Sequence, residues 1–341
     1  MGSTPASEPP LAPPAIADIE AAARRIAPHA VKTPVLESMA LNERVGGRLL
    51  IKAEILQKTG SFKFRGAYNR LSRLDRAARR AGVVAYSSGN HAQGVAAAAR
   101  LLGIPALIVM PDDAPAVKIA NTRAWGAEIV VHDRKRQRRE DLAEAIAAER
   151  QAVIVPPYDH PDIIAGQGTV GLELAAQVTA LDADLDAVLV PVGGGGLIAG
   201  CALALGARRP EAGVYAVEPS DFDDTRRSLA SGRRQRNRED ATSFCDALLA
   251  PTPGHLTFAI NQERLAGGLA VPDDAVARAM AAAFTHLKLV LEPAGAVALA
   301  AALEGHFDCR GKTVAVVCSG GNVDAKTFAA ALKKWGQTAF S

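Results

Sequence analysis

Lysine and serine, two residue types that can move protons or form covalent bonds, stand in this 341-residue chain where apolar runs give way to turns. Lys63 lies in Thr59-Gly60-Ser61-Phe62-Lys63-Phe64-Arg65-Gly66-Ala67, behind a run at 48–56 that reads as a strand. Gly60 and Ser61 read as a turn and an N-cap, which puts Lys63 in the first turn of a helix, beside unsatisfied N–H groups and the positive end of the dipole. An ammonium is disfavoured there. Its pKa falls, as a lysine that forms a Schiff base or moves a proton as a free amine requires. Taken alone, the segment reads more readily as a solvated lysine on a helix end.

Three glycine-rich turns follow apolar strands, and in open parallel sheets ligands collect at such strand ends. In Val190-Pro191-Val192-Gly193-Gly194-Gly195-Gly196-Leu197 four glycines let backbone N–H groups and a helix N-terminus close on an anion, so a phosphate is the natural guest. The same turn fits a dinucleotide fingerprint, Gly194-x-Gly196-x-x-Ala199, with Glu218 at the end of the next strand where a ribose-binding acid is expected. A dinucleotide-binding oxidoreductase is therefore the rival reading, one that leaves Lys63 and the other two turns without a role. Ser87-Ser88-Gly89-Asn90-His91 offers two hydroxyls, a carboxamide and an imidazole at a helix start. That set suits a carboxylate, with Asn90 free to bond a phenolic or carbonyl oxygen, although it also reads as a plain N-cap. Cys318-Ser319-Gly320-Gly321-Asn322 presents Ser319 as a neutral hydroxyl, and Glu292-Pro293 ends an apolar stretch before it.

Elements that would position these turns alternate. Strands are expected at 83–86, 105–110, 128–131, 187–192, 214–218 and 313–318, and helices at 92–102, 116–125 and 141–150. Sequence from 273 to 303 is helix-rich, and one terminal helix follows Asp324. The short apolar runs are those of parallel strands buried on both faces, so the fold class is α/β. No internal repeat shows. Apolar residues make up 49% and charged residues 22%, with a formal net charge of +3, which predicts a soluble globular chain with no general pull toward nucleic acid or membrane. The basic runs at 134–139 and 233–238 lead into acidic residues without interleaved aromatics and read as solvated faces. Cys201, Cys245, Cys309 and Cys318 lack paired spacing, which fits a reducing cytoplasm. Residues 1–15 read as a disordered tail without the features of a signal peptide. Residues 187–207 carry no charge, but the tetraglycine argues for a buried strand, loop and helix over a membrane span.

The motifs Ser61-Phe62-Lys63-Phe64-Arg65-Gly66-Ala67, Ser87-Ser88-Gly89-Asn90-His91, Gly193 to Gly196 and Ser319-Gly320-Gly321-Asn322 resemble, in this order, those of fold type II pyridoxal-phosphate enzymes. The likeness is strongest to serine/threonine dehydratases (ammonia-lyases) and serine racemases, and it runs from about Ile16 to the C-terminus. It implies a tryptophan synthase β-like fold with two open, mainly parallel sheets flanked by helices, a small domain at 82–157 being inserted into a large one at 16–81 and 158–341. It further implies that Lys63 holds pyridoxal 5'-phosphate covalently, that Phe62 packs behind its ring and that Asn90 bonds its phenolic oxygen. Gly193, Gly194, Gly195, Gly196 and Leu197 would cup the phosphate, and Ser319 would face the ring nitrogen. The loop Ser87, Ser88, Gly89, Asn90 and His91 would take the carboxylate of a small hydroxy amino acid.

The implied reaction is loss of water from L-threonine or L-serine, giving a 2-oxo acid and ammonia, with Lys63 as the base at Cα. Ser319, unlike a carboxylate, cannot keep the ring nitrogen protonated, which favours elimination over transamination. Ser88 matches the second base of serine racemases, so racemisation of serine or aspartate is the alternative, beside dehydration of 3-hydroxyaspartate. Glu218, Asp224 and the Phe222 carbonyl resemble the family's site for Mg2+, Ca2+ or Mn2+. A homodimer is implied too. Two departures bear on substrate identity: Ala247 stands where relatives often have glycine, and Tyr158-Asp159-His160 replaces a more polar segment.

Overall fold

The computed structural model describes residues 11–87, 89–114, 116–133 and 136–335, without the side chains of 116 and 117. Among the described residues ten strands form two sheets: β1 (Val35–Leu36), β2 (Arg48–Ala53), β3 (Val83–Tyr86), β4 (Ala106–Pro111), β5 (Glu128–His132), β6 (Val153–Ile154), β7 (Ala187–Pro191), β8 (Gly213–Pro219), β9 (Gly267–Val271) and β10 (Thr313–Cys318). One sheet runs β1-β2-β10-β7-β8-β9 and the other β5-β4-β3-β6. β1 is antiparallel to β2, and the pairings among the other named strands are parallel. The α/β class with parallel sheets flanked by helices is the expected one.

Alternation along each strand supplies both faces of each sheet with apolar side chains. Leu49, Ile51, Leu189 and Val316 pack with the helices Asp273–Ala282 and Pro293–Leu303, whereas Leu50, Val188, Val190 and Val317 pack with the helices Pro161–Ala180 and Gly196–Arg208. In the smaller sheet Ala85, Ile108 and Met110 meet the alanine face of the helix Asn90–Leu102, and Phe64, Tyr68 and Leu71 of the helix Lys63–Ser72 join that core. Val84, Leu107 and Val109 meet Ala143 and Ala147 on the other side. The run at 187–207 is thus strand, turn and buried helix. No helix among the described residues is long and apolar enough to cross a membrane.

Two expectations change. The strand expected over 48–56 ends at Ala53, because Glu54 turns inward in a 3-10 turn (Glu54–Leu56) to meet Arg65. The helix-rich stretch at 273–303 is broken by a π-helical turn at Ala283–Leu287, by Lys288 with φ 57°, and by Pro293, which restarts the helix.

Arg65 anchors the helix that carries Lys63. Its guanidinium is fully buried and donates to Glu54 Oε2 (Nε, 2.8 Å), Glu54 Oε1 (Nη2, 2.7 Å) and Glu173 Oε1 (Nη1, 2.8 Å). Lys52, also buried, donates to Glu173 Oε2 (2.8 Å), Gln177 Oε1 (2.9 Å) and the Thr33 carbonyl (2.8 Å). Two cations meet two carboxylates, so the cluster is neutral and its donors are used. Beside it, Gly66 lets the helix Pro161–Ala180 approach closely: a Cβ there would lie 2.5 Å from Gln167 Nε2. Removing one partner of a buried ion pair strands the other. Arg65→Met is expected to cost about 3–5 kcal/mol in urea unfolding, and Arg65→Lys should not restore it because an ammonium cannot make the forked contact. A loss below about 1 kcal/mol would contradict this assignment.

Candidate active site

The carboxyl ends of β3, β4 and β5 face those of β7 and β10 across a cavity of about 480 Å³. Ser87 to His91 follow β3, Pro111 ends β4, His132 ends β5, the glycines follow β7 and Ser319 follows β10. This is the strand-end crevice where α/β proteins bind ligands.

Lys63 opens its helix as expected, but Ser61 is not the cap. Ser61 forms an isolated antiparallel bridge with Gly320, and the N-cap position is Phe62, without a side-chain cap. The Phe62 N–H donates to the Ser319 carbonyl at 3.1 Å, tying the lysine turn to the last strand. Lys63 Nζ donates to the Pro157 carbonyl at 2.7 Å and lies 5.2 Å from the Phe62 ring centroid. The side chain keeps some solvent contact through the cavity, yet protein surrounds the amine. That burial lowers its pKa to about 8, against the opposing charge of Glu292. Desolvation does what the helix dipole was expected to do.

Gly195 has φ 93°, a left-handed conformation that a side chain would strain. At Gly194 a Cβ would lie 2.3 Å from Tyr158 Cδ1, and at Gly193 one would lie 3.3 Å from Leu248 Cα. The Gly194 carbonyl is taken by Thr257 Oγ1 (2.7 Å) and the Gly254 N–H (3.2 Å), which fixes the turn. The helix Gly196–Arg208 begins here, and its first N–H groups have no acceptor within the helix. A backbone cradle with no room for side chains, facing a buried amine, fits a phosphorylated aldehyde cofactor.

Asn90 is held at both ends. Its Nδ2 donates to Glu292 Oε1 at 2.6 Å, and its Oδ1 accepts from Asn322 Nδ2 at 2.7 Å. His91 differs from expectation. Its ring is buried and Nε2 lies 2.9 Å from the Val155 carbonyl; burial, then the Lys63 charge, pushes its pKa down to about 3. A neutral imidazole committed to a carbonyl brings no positive charge to a carboxylate, and the donors this loop keeps for an anion are backbone N–H groups at the start of the helix Asn90–Leu102. Ser87 Oγ accepts from the Gly89 N–H at 3.2 Å. Ser88 lies outside the described residues. Ser319 is almost fully buried and lines the cavity with Leu197.

Several cavity residues escaped the sequence reading. Lys118, three residues into the helix Ala116–Ala124, pairs with Asp246 across the opening; a Cβ on Gly89 would lie 3.5 Å from its Nζ. His132 lines the wall with both ring nitrogens buried and unpartnered. Glu292 was seen only as the end of an apolar stretch. None belongs to a recognisable motif; the available signal was position at the end of an expected strand or the start of a helix. Of the two departures, Ala247 lines the cavity and Tyr158 braces the glycine turn, whereas Asp159 and His160 act as helix caps. Asp159 accepts from the N–H groups of His255, Leu256 and Thr257, and His160 Nδ1 from that of Asp162.

Glu218 does not line the cavity. It is fully buried and accepts from the N–H groups of Thr225 (2.9 Å) and Arg226 (2.8 Å), so the dinucleotide reading loses its ribose-binding acid. Asp224 accepts from Asn237 Nδ2 at 2.6 Å through Oδ1, while its Oδ2 is buried without a partner. Burial holds both carboxyls above the usual range, and the Asp224 charge adds to the effect at Glu218. Two buried carboxyls and an orphaned oxygen fit a hard cation. Among the described residues no three His, Cys, Asp or Glu side chains converge, so the Phe222 carbonyl would have to contribute.

Residues 26–320 match the family model described as pyridoxal-phosphate dependent enzyme. The chain is 44% identical over 316 residues to an L-threo-3-hydroxyaspartate ammonia-lyase of Pseudomonas sp, covering 93% of this chain and 98% of that protein. It is 40% identical over 312 residues to a serine racemase of Schizosaccharomyces pombe, covering 92% and 95%. It superposes on the crystal structure of a T.th. threonine deaminase with a TM-score of 0.86 at 46% identity, covering 91% of this chain and 99% of that one. With a buried lysine amine facing a glycine cradle and a family match over most of its length, this chain belongs to the pyridoxal-phosphate dependent enzymes.

Proposed function

We propose that the protein removes water from a small 3-hydroxy amino acid of the L-threonine or L-serine class, giving a 2-oxo acid and ammonia. The observation that carries this reading is the Lys63 amine, held 2.7 Å from the Pro157 carbonyl in a cavity that also holds the glycine turn, Asn90 and Ser319. Pyridoxal phosphate, when bound, supplies an electron sink for the charge that develops at Cα. Lys63 would hold it, Phe62 would pack behind its ring, Gly193 to Leu197 would take its phosphate, Asn90 its phenolic oxygen and Ser319 its ring nitrogen.

The chain's own residues do the rest. N–H groups of Asn90 and His91, at the start of the helix, hold the substrate carboxylate, and Lys63 Nζ takes the Cα proton as a free amine. The β-hydroxyl leaves as water, taking up one proton for the one that Lys63 removed from Cα; the released enamine tautomerises to an imine, whose hydrolysis consumes one water and yields the 2-oxo acid and ammonium. Ser319 favours this course because a neutral hydroxyl does not keep a ring nitrogen protonated. The two-sheet arrangement supports the division into an inserted unit at 82–157 and a larger one at 16–81 and 158–341. The identity to a hydroxyaspartate ammonia-lyase and a serine racemase supports two further readings: dehydration of 3-hydroxyaspartate and racemisation with Ser88 as second base.

Assaying 2-oxo acid release over L- and D-serine, threonine and 3-hydroxyaspartate, with chiral analysis of what remains, separates these readings. The proposal expects release from an L-hydroxy amino acid and a loss of about 1,000-fold or more in Lys63→Ala; no turnover of any hydroxy amino acid would refute it. Because the free amine predominates above its pKa, the rate at which apoprotein takes up pyridoxal phosphate should rise with pH through a midpoint near 8, and a midpoint above 10 would show that the amine is not desolvated. For the metal, Glu218, the Phe222 carbonyl and Asp224 are the expected ligands. Chelation should lower the melting temperature by a few degrees, Mg2+ or Ca2+ should restore it, and Asp224→Asn should abolish the response; a chelation-insensitive melting point would remove the site.

A further inference from the structure

Glu292 faces the cavity with no part in the chemistry above, yet it is among the most constrained side chains there. It precedes the helix Pro293–Leu303, and its N–H donates to the Gly320 carbonyl at 3.1 Å. Its side chain is buried, with Oε1 2.6 Å from Asn90 Nδ2 and Oε2 without a partner. A Cβ on Gly320 would lie 2.3 Å from Oε1, so only glycine leaves room for the carboxylate. From the other side Asn322 Nδ2 donates to Asn90 Oδ1 at 2.7 Å and to the Thr59 carbonyl at 2.8 Å. The turn before Lys63, the loop after β3 and the turn after β10 thus meet at one carboxamide.

Asn90 could in principle present either end of its amide. A flip would set its NH2 against the Asn322 NH2 and its oxygen against the Glu292 carboxylate, two repulsive contacts in a buried site. Glu292 and Asn322 together therefore set which way the amide points; Glu292 engages one Nδ2–H and fixes the direction of the other. Around Glu292, burial and the Asp246 charge push the carboxyl up to about 7, while Lys118 and the Asn90 donor oppose that, and Lys63 faces it across the cavity.

We propose that Glu292 is a positioning residue that holds the Asn90 carboxamide so that its second Nδ2–H is presented to an acceptor oxygen of the bound cofactor. This rests on the reading that Lys63 anchors pyridoxal phosphate. Two consequences separate it from a merely structural role. An isosteric amide can still accept from Asn90, so Glu292→Gln should keep the arrangement where Glu292→Ala destroys it. Because Glu292 acts through Asn90, its loss should add nothing once Asn90 is gone.

The test titrates apoprotein with pyridoxal phosphate and follows affinity and the visible band of the bound cofactor for the wild type, Glu292→Ala, Glu292→Gln, Asn90→Ala and the Glu292→Ala/Asn90→Ala double variant. Expected are about a tenfold loss of affinity with a shifted band in Glu292→Ala, and affinity within about threefold of wild type in Glu292→Gln. The double variant should bind no more weakly than Asn90→Ala alone. Additive losses, a Glu292→Gln as weak as Glu292→Ala, or an unaffected Glu292→Ala would overturn the inference while leaving the cofactor reading intact. A wild-type apoprotein that takes up no pyridoxal phosphate would overturn both.

Discussion

Enclosure of a lysine amine by protein is the constraint on which the rest of this structure depends. An ammonium taken from water loses solvation that few surroundings return, and the group responds by giving up its proton more readily. Around Lys63 the compensation is thin: one carbonyl, that of Pro157, and a distant carboxyl, Glu292, itself burdened by burial. A closer carboxylate would have fixed the charge. The sparse surroundings leave a free amine within reach of neutral pH, which both covalent attachment to an aldehyde and removal of a Cα proton require.

Holding such an amine in place demands rigidity elsewhere. Arg65, two residues on, is fixed by Glu54 and Glu173, and the same Glu173 holds Lys52 of β2, so the helix of Lys63 is tied to the large sheet by forked charge-assisted bonds. The other face of that helix contributes Phe64, Tyr68 and Leu71 to the core of the small sheet. Lys63 therefore sits where two cores meet. Glycine provides the remaining fit: Tyr158 fills the space that side chains at Gly194 and Gly196 would need, keeping the strand-end turn free for an anion.

Local signals made much of this legible in the sequence. The apolar runs marked the strand positions, Gly103 marks a helix end in the left-handed conformation, and Lys63 falls at a helix start after a strand. Signals that depend on distant partners did not show. Ser61 has the chemistry of a cap, but pairing with Gly320, some 260 residues away, takes it out of that position. His91 has the chemistry of a carboxylate ligand, but Val155 claims its ring. Lys118, Asp246, His132 and Glu292 reach one cavity from four separate segments, and no spacing within a segment encodes that meeting. The lowered pKa of Lys63 was anticipated with the wrong cause, because a dipole can be read from a helix start while desolvation requires the tertiary structure.

The cavity contains a second lysine, Lys118, whose amine is taken up by a contact with Asp246 instead of facing the glycine turn free. Borohydride reduction of the protein with bound pyridoxal phosphate, followed by peptide mapping, therefore addresses the central claim most directly. Stoichiometric label on the peptide carrying Lys63 is the predicted result. Label on Lys118, or spread over surface lysines with Lys63 unmodified, would contradict it.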